Sequence, residues 1–254
     1  MLFVMNKKNT VCFETLPKKN DILSLVDEIQ NYLHPDFFES MRTSKEKYRA
    51  QKLKKIRKLY NKHICPNTVD EFMGSLGKLE EDLKKDLDFF MVSDPAISSI
   101  EEVIITYPGY LAITLYRIAH IMYNLGVQFV PRIITEAAHS RTGVDIHPAA
   151  KIGVPFFIDH GTGIVIGETA EVGNYVKIYH GVTLGALSLS GGAKLKGTKR
   201  HPTIKNNVTI YAGASILGGE TVIEDGVTIG SNVFIINSVI KDTTVVYSQN
   251  NIKK

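Results

Sequence analysis

The stretch from Ile204 to Ile240, IKNNVTIYAGASILGGETVIEDGVTIGSNVFIINSVI, decides the fold, because an aliphatic residue returns in it every six positions. Ile204 and Ile210 keep the step, one extra residue falls near Gly218-Gly219, and Ile223, Ile229 and Ile235 resume it. The fourth residue after each is apolar or small: Val208, Ala214, Val227, Val233 and Val239. The same register stands upstream at Ile146/Ala150, Ile152/Phe156, Ile166/Ala170, Val172/Val176 and Ile178/Val182, with an irregular step around Gly161-Thr162-Gly163. The fourth residue of one unit and the first of the next lie two apart, so in a strand they share a face. The Gly, Asn, Asp, Glu and Pro types between them turn easily. Short strand, turn, short strand, with three units to a coil, describes a parallel β-helix.

The hexads begin only after residue 143 of a 254-residue chain, so two parts are expected. The reading is an α+β chain: an all-helical region over 1–141, a β-helix over 142–241 that extrudes a loop at 185–203, and a tail at 242–254. Helical periodicity starts with Ile22, Leu25, Val26 and Ile29, and Leu76, Leu79, Leu83 and Leu87 form an apolar stripe. Further helices are read over Ile97–Ile105, Gly109–Leu125 and Pro131–Ser140, with Gly143 as a stop. Packing and oligomerisation, rather than chemistry, are the expected work of this region.

A content of 44% hydrophobic and 22% charged residues excludes a largely disordered chain. The net charge of +4 gathers in nine Lys/Arg between Ser44 and Lys62, opposed only by Glu46. Tyr48, Leu53, Ile56 and Tyr60 keep helical spacing among them, which reads as a solvated helix face. No aromatic or Arg-Gly pattern argues for nucleic acid. Two cysteines, Cys12 and Cys65, without a CxxC suggest neither a disulfide framework nor a Cys-rich zinc site. Met1–Met5 is too short for a signal peptide, and Tyr110–Tyr123, carrying Arg117 and His120, falls short of a membrane span. A cytoplasmic protein without membrane or nucleic-acid partners is expected.

Ionisable residues stand out in a β-helix, whose strands are otherwise apolar or merely solvated. They cluster at Asp145 and His147, Asp159 and His160, and Glu168. With about 18 residues per coil, Asp145 and His160 fall on adjacent coils, where they can pair as an orienting acid and a base. A neutral imidazole backed by a carboxylate takes a proton from a hydroxyl near neutral pH. His147 and His180 read as satisfied turn histidines, and Asp94, before Pro95, as a turn cap. From Gly185 to Thr203 the hexads stop, and a Gly/Ser/Lys-rich loop returns at Arg200-His201, setting a cation and an imidazole over a neighbouring cleft. An arginine there suits a carboxylate.

The runs Gly143-Val-Asp-Ile-His-Pro-Ala-Ala-Lys-Ile-Gly153, Asp159-His-Gly-Thr-Gly-Ile-Val-Ile-Gly-Glu-Thr-Ala170, Gly181-Val-Thr-Leu-Gly185 and Lys199-Arg-His-Pro-Thr-Ile204 resemble bacterial serine O-acetyltransferase. The resemblance covers residues 94 to about 240. It implies a left-handed β-helix behind a helical domain, assembled as trimers or dimers of trimers. It implies transfer of acetyl from acetyl-CoA to L-serine for cysteine synthesis, with L-cysteine competing at the serine site and no metal. On matching positions it makes His160 the general base, Asp145 its partner and Glu168 a support. Asp94 and Asp159 take the ammonium and hydroxyl end of serine, and Arg200 and His201 its carboxylate. Gly185, Ala186, Thr203 and Ala212 become cofactor contacts along a groove between adjacent β-helices. The Gly185–Arg200 loop is longer than usual, and Ala186 replaces a common glycine. Many members end in an isoleucine that enters O-acetylserine sulfhydrylase; here Lys253-Lys254 follow Ile252, which argues against that complex. Two enzyme rivals are a hexapeptide transferase acting on homoserine or a sugar, and a metal-dependent hydratase built on His160, His180 and His201. A scaffold β-helix leaves the clustered acids and histidines without purpose.

Overall fold

The computed structural model describes residues 16–246 except 36, 39 and 189, together with the short strands Val4–Met5 and Val11–Phe13. Ile252 and Lys253-Lys254, on which the sulfhydrylase expectation rests, lie outside the described residues. The helical region comprises α1 (Lys19–Leu33), α2 (Lys45–His63), α3 (Val69–Ser93), α4 (Ile100–Thr106), α5 (Pro108–Asn124) and α6 (Val130–Thr142). Their ends have local causes. The Ser44 hydroxyl accepts from the Lys47 N–H at the start of α2, and Ser99 accepts from Glu102 N–H at 3.2 Å at the start of α4. Pro108 opens α5 where an N–H would be orphaned anyway, and Gly143 closes α6 at φ +72°.

The stripe Leu76, Leu79, Leu83 and Leu87 is buried as its spacing predicts. Helix α5 is buried almost all round, from Tyr110 to Met122, because it packs between α3, α6 and the first coil of the β-region. The basic face of α2 is tied to its neighbours: Arg49 pairs with Glu80, Lys52 and Lys55 with Glu28, and Arg57 with Asp70. Cys65 is fully buried and disulfide-bonded, where the sequence suggested no disulfide. No helix among the described residues is long and apolar enough to cross a membrane.

The hexads build a parallel solenoid of about five turns with three faces. The first face stacks Asp145–Ile146, Val165–Ile166, Thr183–Gly185, Ser215–Leu217 and Phe234–Ile235. The second stacks Lys151–Ile152, Glu171–Val172, Thr203–Ile204 and Val222–Ile223, and the third runs from Phe156–Asp159 to Thr244–Val245. Every pairing is in register on the hexad, for example Ile178 with Ile210 and Ile210 with Ile229. The aliphatic positions point inward and are buried throughout, with Ile152 and Val239 at the margins partly so. Pairing of Thr228–Ile229 with Thr244–Val245 carries the solenoid past residue 241, where the hexads end in the sequence. The loop between 185 and 203 is extruded where one face turns into the next, as expected.

The helical region and the solenoid are joined by one buried ion pair. Asp86 of α3 is fully buried and receives Arg117 of α5 through Nε at 2.6 Å and Nη2 at 2.8 Å. The same pair grips the first coil: Asp86 accepts the Phe156 N–H at 2.9 Å, and Arg117 donates to the Gly153 carbonyl at 3.0 Å. Beside it Gly109 lets α5 rest on the chain, since a Cβ there would stand 2.3 Å from the Ile158 carbonyl oxygen.

Removing one member of a buried, hydrogen-bonded pair leaves the other charge unpaired and typically costs about 3–5 kcal/mol. Asp86→Ala is therefore expected to lower the free energy of unfolding by about that amount, while Asp70→Ala, whose pair with Arg57 is exposed, changes it by less than about 1 kcal/mol. Equilibrium denaturation compares the two.

His34 supplies an acid-sensitive contribution. Its ring lies 3.0 Å from the Tyr110 hydroxyl, and burial pushes it from the usual 6.5 down to about 4. A histidine whose folded value lies below its unfolded one binds fewer protons in the native state between the two. Its stabilisation is complete above about pH 6.5 and is lost as pH falls toward about 4. Denaturant midpoints are expected to drop across that window, and to drop less in His34→Gln.

Candidate active site

Two corners of the solenoid hold the ionisable residues. The first is where the third face turns into the first. Strand Phe156–Asp159 ends here, and His160 takes the turn at φ +57°, an uncommon backbone for a residue with a Cβ. Its imidazole is 70% exposed, with Nδ1 3.6 Å from Asp159 Oδ1. His180, one coil on, lies with its ring centroid 5.4 Å away. Asp94, at the C-terminus of α3, accepts the Ala96 N–H at 2.8 Å on one oxygen and the Tyr107 hydroxyl at 2.9 Å on the other. Asp94 and Asp159 share an environment: both carboxylates act on Tyr107 and on Tyr179. Desolvation first, and then the Asp94 carboxylate, push the Tyr107 hydroxyl up to about 12, so it remains a donor.

The second corner is where the first face turns into the second. Glu168 forms an ion pair with Nη2 of Arg200, and that arginine holds its carboxyl below the usual range. Arg200 Nη1 is buried without a hydrogen-bond partner among the described residues. His201 is buried, its ring against Gly167 and its Nδ1 2.8 Å from the Thr169 hydroxyl. Desolvation, and then the Arg200 charge, push it down to about 4, so it is neutral near pH 7. His147 is held below its usual value, by burial first, and it feels Glu168, Arg132, Asp145 and Arg200 together. That shared field places Asp145 with this second corner.

The residues picked out from the sequence therefore fall into two groups. Asp94, Asp159 and His160 stand together; Asp145, Glu168, Arg200 and His201 stand together elsewhere. The expected pairing of Asp145 with His160 is not made within one chain, where Asp145 ion-pairs with Arg132 at 3.3 Å. The first coil advances by 20 residues rather than 18, Asp145 pairing with Val165, and His160 lies in the turn before that strand. Glu168 supports Arg200 rather than the histidine. A hexapeptide at about 3.3 Å per residue keeps the corners up to about 20 Å apart. Within one chain His160 and His180 lie together, their ring centroids 5.4 Å apart, and His201 stands at the other corner. Glu136, His139 and Asp145 bring ligand atoms within 4.8 Å of one another, but Arg132 already balances the two carboxylates at 2.5 and 3.3 Å.

The cofactor positions divide in the same way. Gly185 and Ala186 lead into a cleft of about 300 Å³ under the extruded loop, lined by Leu187, Arg200, Gly218 and Ile236. Ala212 belongs to the His160 corner, one coil beyond His180, and Thr203 to the second face. Tyr107 and Thr169 were not singled out from the sequence, and His180 was read only as a turn histidine or as part of a rival metal site. The Tyr107-Pro108 helix start and the alignment of His160 with His180 were the available signals.

No family model matches the chain. It is 48% identical over 164 residues to the serine acetyltransferase of Bacillus subtilis, an alignment covering 65% of this chain and 72% of that protein. With the Helicobacter pylori serine acetyltransferase it shares 45% over 168 residues, 66% of this chain and 94% of the other. A plasmid-encoded serine acetyltransferase of Synechococcus elongatus is 50% identical over 171 residues, 66% of this chain but only 53% of that relative. Among solved structures, serine acetyltransferase 1 of Entamoeba histolytica in complex with L-cysteine superposes with a TM-score of 0.79 at 35% identity, covering 92% of this chain and 88% of that one. With relatives of this kind, the helical region followed by a hexapeptide solenoid places the chain among the hexapeptide-repeat acyltransferases. Within that class, the chain belongs to the serine acetyltransferase family.

Gly167 gives this corner a direct test. A Cβ there would fall 2.0 Å from His201 Cδ2, so Gly167→Ala must displace a buried ring, whereas Gly74→Ala meets nothing within 4 Å. The first is expected to destabilise by about 1–3 kcal/mol and the second to be neutral or stabilising by up to about 1 kcal/mol, both read from denaturation.

Proposed function

We propose that the chain transfers acetyl from acetyl-CoA to the hydroxyl of L-serine, giving O-acetyl-L-serine and CoA, at sites completed between neighbouring copies. The division of charge between the two corners carries this reading. Asp94 and Asp159 beside an exposed His160 suit an ammonium group and a hydroxyl. Arg200, whose Nη1 is without a hydrogen-bond partner among the described residues, suits a carboxylate. A hydroxyl amino acid needs both, and one chain holds them at opposite ends of a face. A second copy whose Arg200 corner meets the first copy's His160 corner completes the set. The same docking brings Asp145 toward His160 as its orienting acid, and sets Gly185 and Ala186 of one copy against Ala212 of the other to form the groove for the cofactor arm. Relatives are in keeping with this: the Neisseria gonorrhoeae serine acetyltransferase complexed with serine has a TM-score of 0.66 at 28% identity, and another serine acetyltransferase is complexed with CoA. L-Cysteine, with a thiol where serine has its hydroxyl, is expected to compete at the same place.

In the chemical step the His160 imidazole takes the proton from the serine hydroxyl as that oxygen bonds to the thioester carbonyl carbon. The carbon–sulfur bond then breaks, and the sulfur leaves as the thiol by taking the proton back from the imidazolium. The proton and the acetyl group are both accounted for without a covalent enzyme intermediate. Desolvation at the junction of copies strengthens the carboxylate and arginine contacts.

General-base assistance is worth roughly 10² to 10⁴ in rate. His160→Ala is expected to lose that much in turnover with serine while still folding and binding acetyl-CoA; near-normal turnover would exclude the assignment. Mixing separately inactive His160→Ala and Arg200→Ala chains through unfolding and reassembly tests the shared site. In a random mixture of trimers, about a quarter of the sites combine two intact corners. Recovery toward that fraction of wild-type activity is expected, and no recovery, with mixed assembly verified by mass, would overturn the shared site.

A further inference from the structure

We infer that Thr169 is the positioning residue that sets the serine carboxylate site, because its hydroxyl fastens the returning loop to the solenoid at both Arg200 and His201. The inference rests on the role of Arg200 proposed above. The extruded loop returns over Lys199, Arg200 and His201, and all three are held by Thr169 from the preceding coil. The Thr169 hydroxyl oxygen accepts the Arg200 N–H at 2.9 Å and the His201 N–H at 3.0 Å. Those bonds use both of its lone pairs, leaving its own proton for His201 Nδ1 at 2.8 Å. The Thr169 N–H also points at that Nδ1, at 3.1 Å, and the Thr169 carbonyl accepts Lys199 Nζ at 2.7 Å.

Two consequences follow from this geometry. With two donors aimed at Nδ1, the His201 ring carries its proton on Nε2, so the tautomer is set by Thr169. With its own N–H fastened, Arg200 starts from a fixed backbone position. Its Nη2 reaches Glu168, and its Nη1 has no hydrogen-bond partner among the described residues, which leaves that N–H for one oxygen of a carboxylate. A long Gly/Ser/Lys loop is otherwise poorly suited to holding an arginine head group in register, because each unconstrained residue adds conformational freedom that binding must remove. Glu168 alone does not suffice, since an ion pair fixes the end of a long side chain but not the loop that bears it.

The test compares Thr169→Val, which keeps the shape and loses the hydroxyl, with Thr169→Ser, which keeps the hydroxyl. Thr169→Val is expected to raise the KM for serine about tenfold or more, with the KM for acetyl-CoA and the unfolding midpoint near wild type. Thr169→Ser is expected to stay within about twofold of wild type. Because Thr169 acts through Arg200, the Thr169→Val/Arg200→Ala double variant should bind serine no worse than Arg200→Ala alone. An unchanged serine KM in Thr169→Val overturns the inference. So does an equal loss for both substrates that serine at 169 does not rescue. Should the valine variant fail to fold, Thr169→Ala is judged by the same constants. In the wild-type enzyme, nitrogen NMR of His201 is expected to show the Nε2–H tautomer, and an Nδ1–H ring would overturn the arrangement. If Arg200→Ala itself leaves the serine KM unchanged, the proposed role of Arg200 fails instead, and the two failures are thereby distinguished.

Discussion

The buried pair of Asp86 and Arg117 is the constraint on which the rest of the arrangement depends. A solenoid coil fixes its own strands through its neighbours, but nothing in the repeat specifies where a helix packs against its end. Two fully paired charges do, because each remaining donor and acceptor must find its one partner on the first coil: the Phe156 N–H for the aspartate and the Gly153 carbonyl for the arginine. Apolar contacts alone would tolerate sliding; a buried ion pair in low dielectric does not. Once α3 and α5 are set, Asp94 and Tyr107 arrive beside Asp159 and His160, although they come from chain segments more than fifty residues apart.

The solenoid supplies the opposite kind of order. Its pairing is so regular that side chains at matching corners stack from coil to coil, as Tyr179 and Tyr211 do at 4.9 Å between ring centroids. Regularity also sets a limit. Corners on the two ends of one face are held apart by the strands between them, so groups of unlike charge cannot collapse on one another within a chain. Asp94 and Asp159 stand at one end, and Arg200, paired with Glu168, at the other. The surface of a single chain thus presents two separate and complementary groups of charge, which the proposed association would join.

Much of this was legible from the chain itself where the physics is local. The hexad of Ile204, Ile210, Ile223, Ile229 and Ile235 predicts buried inward positions because alternation and turn chemistry act within six residues. Gly143 stops α6 because only a left-handed residue serves there. The loop that breaks the repeat before Thr203 was visible as the absence of a pattern. The corners on which Asp145 and His160 stand were not, because a count of about eighteen residues per coil locates neither a side chain's corner nor the irregular first step of 20.

By itself, then, the sequence determined the solenoid, its helical preface, the extruded loop and the clusters of ionisable residues at its turns, since each depends on periodicity, turn preference or a local motif. Only the tertiary structure decided which of those residues stand together. Asp94 joins Asp159 through Tyr107 and the packing of α3 and α5, and Arg200 is set by Thr169, a contact across 31 residues and one coil. Such partnerships follow from how faces and corners stack in space, and spacing along the chain carries no record of a corner.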